Sequence, residues 1–248
     1  MRNIWTIARR EYKLYFSSPA AYMVTFLILL VLGLIFYTNL VYSLLNQFQQ
    51  VPPPGIDVIL NPMLTLLLFA TPGITMRLIA EESRLGTIEL MLTAPVRDWE
   101  LIVGKWLGGF LFLLTVIAIT WIFPIVLNLL TRPGIDQGPL ISGYLGMILI
   151  AASLVAVGVA VSSFFSNQIA AFFATLAVFM LLWLISMPAQ AAGGGAGGTL
   201  INYLDFSGHY YNTLAQGIIQ LSDVIYYLSI TAVALFIGTM SVEVRRWR

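Results

Sequence analysis

Between Lys13 and Asp57 the chain carries no charged side chain, and four more such runs follow, at 58–76, 106–131, 137–204 and 224–242. Few folds can use segments like these. A helix crosses the roughly 30 Å hydrocarbon core of a bilayer with about 20 apolar residues, each adding about 1.5 Å. Every run is close to that length or longer, and the 68 residues of 137–204 suffice for two crossings, interrupted by SSFFSNQ at 162–168. Only 9% of the residues are charged, 59% are hydrophobic and the mean hydropathy is +0.91. A soluble domain is roughly a quarter charged, so lipid is the solvent for most of this chain.

The expected fold is therefore all-α and polytopic, a single membrane domain over 1–248. Six transmembrane helices are expected near 20–42, 59–80, 100–130, 141–163, 168–187 and 223–243. The third is too long for one straight span, and Pro124 is placed to kink it or end its membrane part. Thr71-Pro72-Gly73 predicts a kink in the second, with neighbouring helices satisfying the freed carbonyls. With the N-terminus inside, eleven of the twelve basic residues face the cytoplasm and Arg132 alone lies outside. The positive-inside rule then makes both termini cytoplasmic, in the cell (inner or plasma) membrane. The first apolar run exceeds the 7–15 residues of a signal-peptide core, so a retained helix is expected.

Residues 1–18 read as an amphipathic helix in the membrane interface. Ile4, Trp5, Ala8, Tyr12, Tyr15 and Phe16 form one side, and Thr6, Arg9, Arg10 and Lys13 turn towards anionic headgroups. VPPPGID (51–57) and TRPGIDQGP (131–139) read as external turns, and AAGGGAGG (191–198) as a flexible external linker. Within the external amphipathic segment 188–222, extended to the start of the last span, Asp205, His209, Asn212, Gln216, Gln220 and Asp223 recur at steps of three and four. That spacing predicts one polar stripe on a helix, continuous or broken near Gly208.

Seven of the 23 charged residues crowd into residues 81–100. At about 2.5–3.5 kcal/mol for each charge at the bilayer centre, roughly 20 kcal/mol in all, this island lies outside the lipid. Thr87 can cap a short helix with Glu89 in its first turn, and Ala94-Pro95 ends it. Asp98 caps the next helix. A cytoplasmic helix over 81–99, set between two spans, can pass a push from a soluble partner into the membrane.

Several chemistries are excluded or unsupported. No GxxxxGK[ST], HExxH or GxSxG motif is present, cysteine is absent, and His209 is the sole histidine. The chain cannot grip a nucleotide as a P-loop does or build a His/Cys metal site, and neither a catalytic residue nor a bound cofactor is expected. A net charge of +1 gives no reason to expect a nucleic-acid partner. Asp205 and His209 sit four apart and Asp223 could join them, which keeps an intramembrane enzyme open. A non-transporting scaffold or assembly factor would share the topology.

The stretch EESRLGTIELMLTAPVRDWELIVGKWLGG (81–109) strongly resembles the segment after the second span in ABC-2 type transporter permeases. It looks most like the subgroup with the gliding-motility and copper-processing permeases. GHYYNTLAQGIIQLSDVIYYLS (208–229) resembles that family's entry into its last span. The resemblance implies an exporter's membrane subunit, paired with an identical or homologous permease around a central path. A separate ABC ATPase would supply ATP and Mg, and a periplasmic or accessory subunit is left open. It also implies that Glu81, Glu82, Gly86, Thr87, Glu89, Leu92 and Pro95 form or position the ATPase contact. The stripe Asp205, His209, Asn212, Gln216, Gln220 and Asp223 would line or cap the exit. Cargo is not indicated.

Overall fold

The computed structural model describes residues 2–46, 54–86, 96–131, 134–184 and 203–246. In chain order these form α1 (Arg2–Ser17), α2 (Pro19–Leu45), α3 (Asp57–Thr75), α4 (Ala80–Arg84), α5 (Asp98–Ile119), α6 (Ile122–Leu130), α7 (Gln137–Phe164), α8 (Gln168–Leu184), α9 (Gly208–Tyr211), a 3₁₀ turn (Leu214–Gln216) and α10 (Leu221–Arg246). No strand occurs among the described residues. Five stretches are long and apolar enough to cross a membrane: Pro19–Leu45, Asp57–Arg84, Asp98–Leu130, Gln137–Phe164 and Leu221–Val244. The remaining expected span is α8, an apolar helix of 17 residues, and residues 185–187 lie outside the described part.

α7 stands at the centre and touches α3, α5, α8 and α10. Its buried residues include Gly143, Gly146, Ala151, Ala152, Ala156, Gly158 and Ala160, small enough for neighbouring backbones to close in. A methyl on Gly158 would overlap Thr75, and one on Gly238 of α10 would sit 3.4 Å from the Ala160 Cα. Lipid offers apolar side chains no worse a home than protein does, so this close van der Waals contact carries the packing. α2 and α10 leave most of their length outward, exposing Tyr22, Met23, Phe26, Leu34, Val233 and Phe236.

The long third segment divides where its proline requires. Pro124 has no N–H for the Thr120 carbonyl, α5 ends at Ile119, and α6 opens with Pro124 in its first turn, where the missing donor costs nothing. At the break the Thr120 hydroxyl folds back to donate to Ile117 O at 2.7 Å. Pro72 lies inside α3, which stops at Thr75. The α3–α4 interruption is closed by Ser162 of the polar stretch ending α7. Its hydroxyl oxygen accepts from the N–H groups of Ile79 (3.3 Å) and Ala80 (3.1 Å), and it donates to Met76 O (3.2 Å).

The helices gather into two ends. At one lie α1, α4, the start of α5, and the ends of α7 and α10, joined by contacts such as Ser241 Oγ donating to Ser163 O at 3.2 Å. All ten basic residues in the described part belong to the elements at this end or to the turns that flank them. The opposite end gathers the starts of α3, α7 and α10, the α5–α6 break and residues 203–220. Ser142 Oγ donates there to Leu214 O at 2.6 Å, and Tyr227 Oη to Phe206 O at 2.8 Å.

α1 is amphipathic as expected, and its apolar side rests on protein. It runs alongside α5, burying Ala8, Glu11 and Tyr15, while Trp5 (57%) and Leu14 (48%) are exposed beside Arg9, Arg10 and Lys13. The physical reason is a groove on α5: a methyl at Gly104 or Gly108 would meet Ile7 Cβ at 2.8 Å or Glu11 Cβ at 2.5 Å. One expectation needs correction: the polar residues from Asp205 to Asp223 do not form one helical stripe. α9 lasts one turn, and Gly217, with φ of 92°, ends the 3₁₀ turn in the left-handed conformation that glycine adopts without strain. Residues 218–220 are outside any helix before α10 begins.

Candidate functional site

At the basic end, Lys105 is the organising residue. It is 1% exposed, a third of the way along α5. Its Nζ donates to Glu11 Oε1 of α1 at 3.0 Å and to Glu82 Oε1 of α4 at 2.8 Å. Three helices distant in sequence meet on one ammonium. Burying a lone lysine would be prohibitive, whereas two carboxylates within hydrogen-bond reach make the burial sustainable. The same helix pair is fixed above and below. Asn3 Nδ2 donates to Glu100 Oε2 (3.1 Å), Tyr12 and Thr115 share a hydrogen bond (3.0 Å), and Tyr15 stacks on Phe112 with ring centroids 4.8 Å apart. Tyr15 donates to Ile74 O at 3.0 Å; burial, and then the Glu11 carboxylate, hold its phenol well above the usual range.

Between α1 and the α3–α4 turn opens a cleft of about 490 Å³. Arg10, Leu14, Ser18, Arg77, Glu81 and Leu85 line it, with the Glu11–Lys105–Glu82 cluster in its wall. Glu81 and Glu82 are thus turned towards α1 and α5. Gly86, with φ of 69°, closes α4 through a left-handed cap, the Leu85 N–H donating to Glu81 O at 2.9 Å. On the far side of the intervening segment Arg97, not Asp98 as expected, is the N-cap of α5. The Arg97 N–H donates to Glu100 Oε2 at 3.2 Å, leaving acidic Asp98 and Glu100 at the positive end of the helix. Thr87, Glu89, Leu92 and Pro95, together with the short helix expected around them, lie outside the described residues.

At the opposite end, His209 does not pair with Asp205. The Asp205 carboxylate accepts from the Ser207 N–H (3.0 Å) and hydroxyl (2.8 Å), closing a tight turn. His209 turns instead to Asp223 at the start of α10, with Nδ1 2.8 Å from Oδ1 and Nε2 2.9 Å from Tyr203 O. The Thr213 hydroxyl lies 2.6 Å from Asp223 Oδ2 and 2.6 Å from His209 O, with one hydrogen to give. Asp223 is 2% exposed, and the imidazole stacks on Tyr226 with centroids 4.1 Å apart. Burial pushes the phenols of Tyr210 and Tyr211 upward. Asn212, Gln216 and Gln220 stay exposed, apart from this buried pair.

Sequence reading counted Lys105 among the flanking charges and left Glu11 unassigned. Glu11 could have been noticed as the lone acid among α1's basic residues, and Lys105 by its place between small residues in VGKWLGG.

The family model for the ABC-2 family transporter protein matches residues 5–243, nearly the whole chain. The chain belongs to the ABC-2 transporter family. With five membrane-length apolar helices it is a multi-pass membrane protein, and its family is one of transport subunits in the membrane. No curated protein matches the chain at a significant level.

Proposed function

We propose that this ABC-2 family member is the permease subunit of an ATP-driven exporter in the cell membrane, its basic end cytoplasmic under the positive-inside rule. A separate ABC ATPase supplies ATP and Mg, docking on the segment between α4 and α5. A second permease, identical or homologous, completes the translocation path.

The observation that carries this reading is the Lys105 clasp. The stems on both sides of residues 87–95 are tied together by Glu82–Lys105, and Glu11 ties them to α1. A force applied to the intervening segment is therefore delivered to α3, α5 and α1 together rather than lost in a loose loop. Thr87, Glu89, Leu92 and Pro95 form or position the ATPase contact with Glu81, Gly86 sets the exit from α4, and Glu82 holds the stem through Lys105. The binding energy of nucleotide on the ATPase then shifts the permease between states that it binds differently. At the opposite end, Asp205, His209, Asn212, Gln216, Gln220 and Asp223 border the exit, with His209–Asp223 securing its fold.

Co-purification in mild detergent tests the class: an ABC ATPase recovered in stoichiometric amount supports the proposal, and its absence from intact, monodisperse permease contradicts it. Glu89→Lys is expected to leave insertion intact while uncoupling ATP hydrolysis from transport. Normal stimulation of the ATPase by that variant would remove the segment from the coupling route.

A further inference from the structure

The cleft between α1 and the α3–α4 turn contains more charge than the clasp uses. Lys105 is engaged by Glu11 and Glu82. Among the described residues the side chains of Arg10 and Glu81 hold no hydrogen bond or salt bridge, and that of Arg77 makes one long contact, 3.4 Å to Ser18 Oγ. All three line the same cavity. Two guanidinium groups outside any salt bridge and one carboxylate without a side-chain partner therefore border a space of about 490 Å³.

Position narrows the ligand. Ser18 lines the cleft and immediately precedes Pro19, where α2 starts, and α2 exposes Tyr22 (57%) and Met23 (64%) just beyond it. The cleft thus opens at the level where a membrane span begins. Leu14 (48%) and Leu85 (62%) give it an apolar rim. A ligand here has an anionic group for Arg10 and Arg77, a compact cation for Glu81, and an apolar continuation.

We infer that this cleft is a binding site for a zwitterionic aminophospholipid, its phosphate on Arg10 and Arg77 and its primary ammonium on Glu81. Guanidinium groups suit phosphate oxygens, which accept from their fork of N–H donors. A primary ammonium can donate to a carboxylate; the quaternary ammonium of a choline headgroup cannot, and a glycerol headgroup carries no charge there. This inference rests on the membrane reading of the chain and not on the ATPase proposal, so either can fail alone. Its consequence is local: a bound headgroup bridges α1 to the stem that the Lys105 clasp already ties to α5.

The test is native mass spectrometry of the full chain in detergent micelles doped in turn with dioleoyl phosphatidylethanolamine, phosphatidylglycerol and phosphatidylcholine. Phosphatidylethanolamine is expected to be retained above the other two. Loss of a charge-assisted contact in Arg77→Gln or Arg10→Gln lowers that retention about tenfold. Glu81→Gln is expected to erase the preference over phosphatidylglycerol while leaving phosphate-dependent retention. Lys13→Gln, the same charge change on α1 outside the cleft, is expected to change nothing. Arg10 is exposed, so its variant keeps the test informative if Arg77→Gln proves unstable. Equal retention of the three lipids, a preference for phosphatidylglycerol, or retention unchanged in both arginine variants overturns the inference.

Discussion

Lys105 and His209 are each held by a buried carboxylate, one at each end of the bundle, yet the two clusters organise different amounts of chain. Lys105 joins residues 94 and 23 positions away, on separate helices. His209 and Thr213 reach Asp223 across 14 and 10 positions, within one fold-back before the last helix. The first cluster closes long loops and is a joint between elements; the second fastens one segment to its own continuation. Damage to the joint therefore spreads across three helices, whereas damage to the fastening stays near residues 203–223.

Lys105→Met gives the sharpest contrast, since it strands two buried carboxylates. A loss of about 3–5 kcal/mol is expected, read as a large fall in the unfolding midpoint in detergent. The triple variant Lys105→Met, Glu11→Gln, Glu82→Gln is expected to recover much of that loss, because nothing charged is left unpaired. If the single variant is as stable as the parent, the clasp is not a structural joint.

Asp223→Ala comes next, depriving His209 and Thr213 of their shared acceptor at about 1–3 kcal/mol. Proteolysis should show the effect near residues 203–220, with the basic end still protected. Exposure of α1 in this variant would erase the distinction between the two clusters. Tyr12→Phe removes one neutral hydrogen bond to Thr115 and is expected to cost about 1 kcal/mol, with the ring packing on Phe16 kept. Smallest of all is Gln216→Ala, on an exposed side chain, expected to stay within about 0.5 kcal/mol by thermal unfolding.

The same contrast explains what the sequence made legible. Span positions follow from composition, because no alternative solvent suits runs such as 106–131. The α5–α6 break follows from a proline's missing donor. Glu11–Lys105 spans 94 residues and leaves no local signature, so an acid in a basic helix could be read only as another polar residue. α1 was legible in part for a related reason: periodicity marked an apolar face without saying whether lipid or α5 would cover it. In residues 205–223 the helical spacing was real in the sequence, but the left-handed Gly217 and the pull of His209 onto Asp223 outweighed it.

Photo-crosslinking of the assembled transporter compares the ends most directly, using single cysteines at Glu89 and Gln216 in a chain with no native cysteine. The account predicts that the Glu89 probe captures an ABC ATPase and the Gln216 probe does not. Capture of the ATPase from Gln216, or capture of no ATPase from Glu89 in an actively transporting complex, would contradict it.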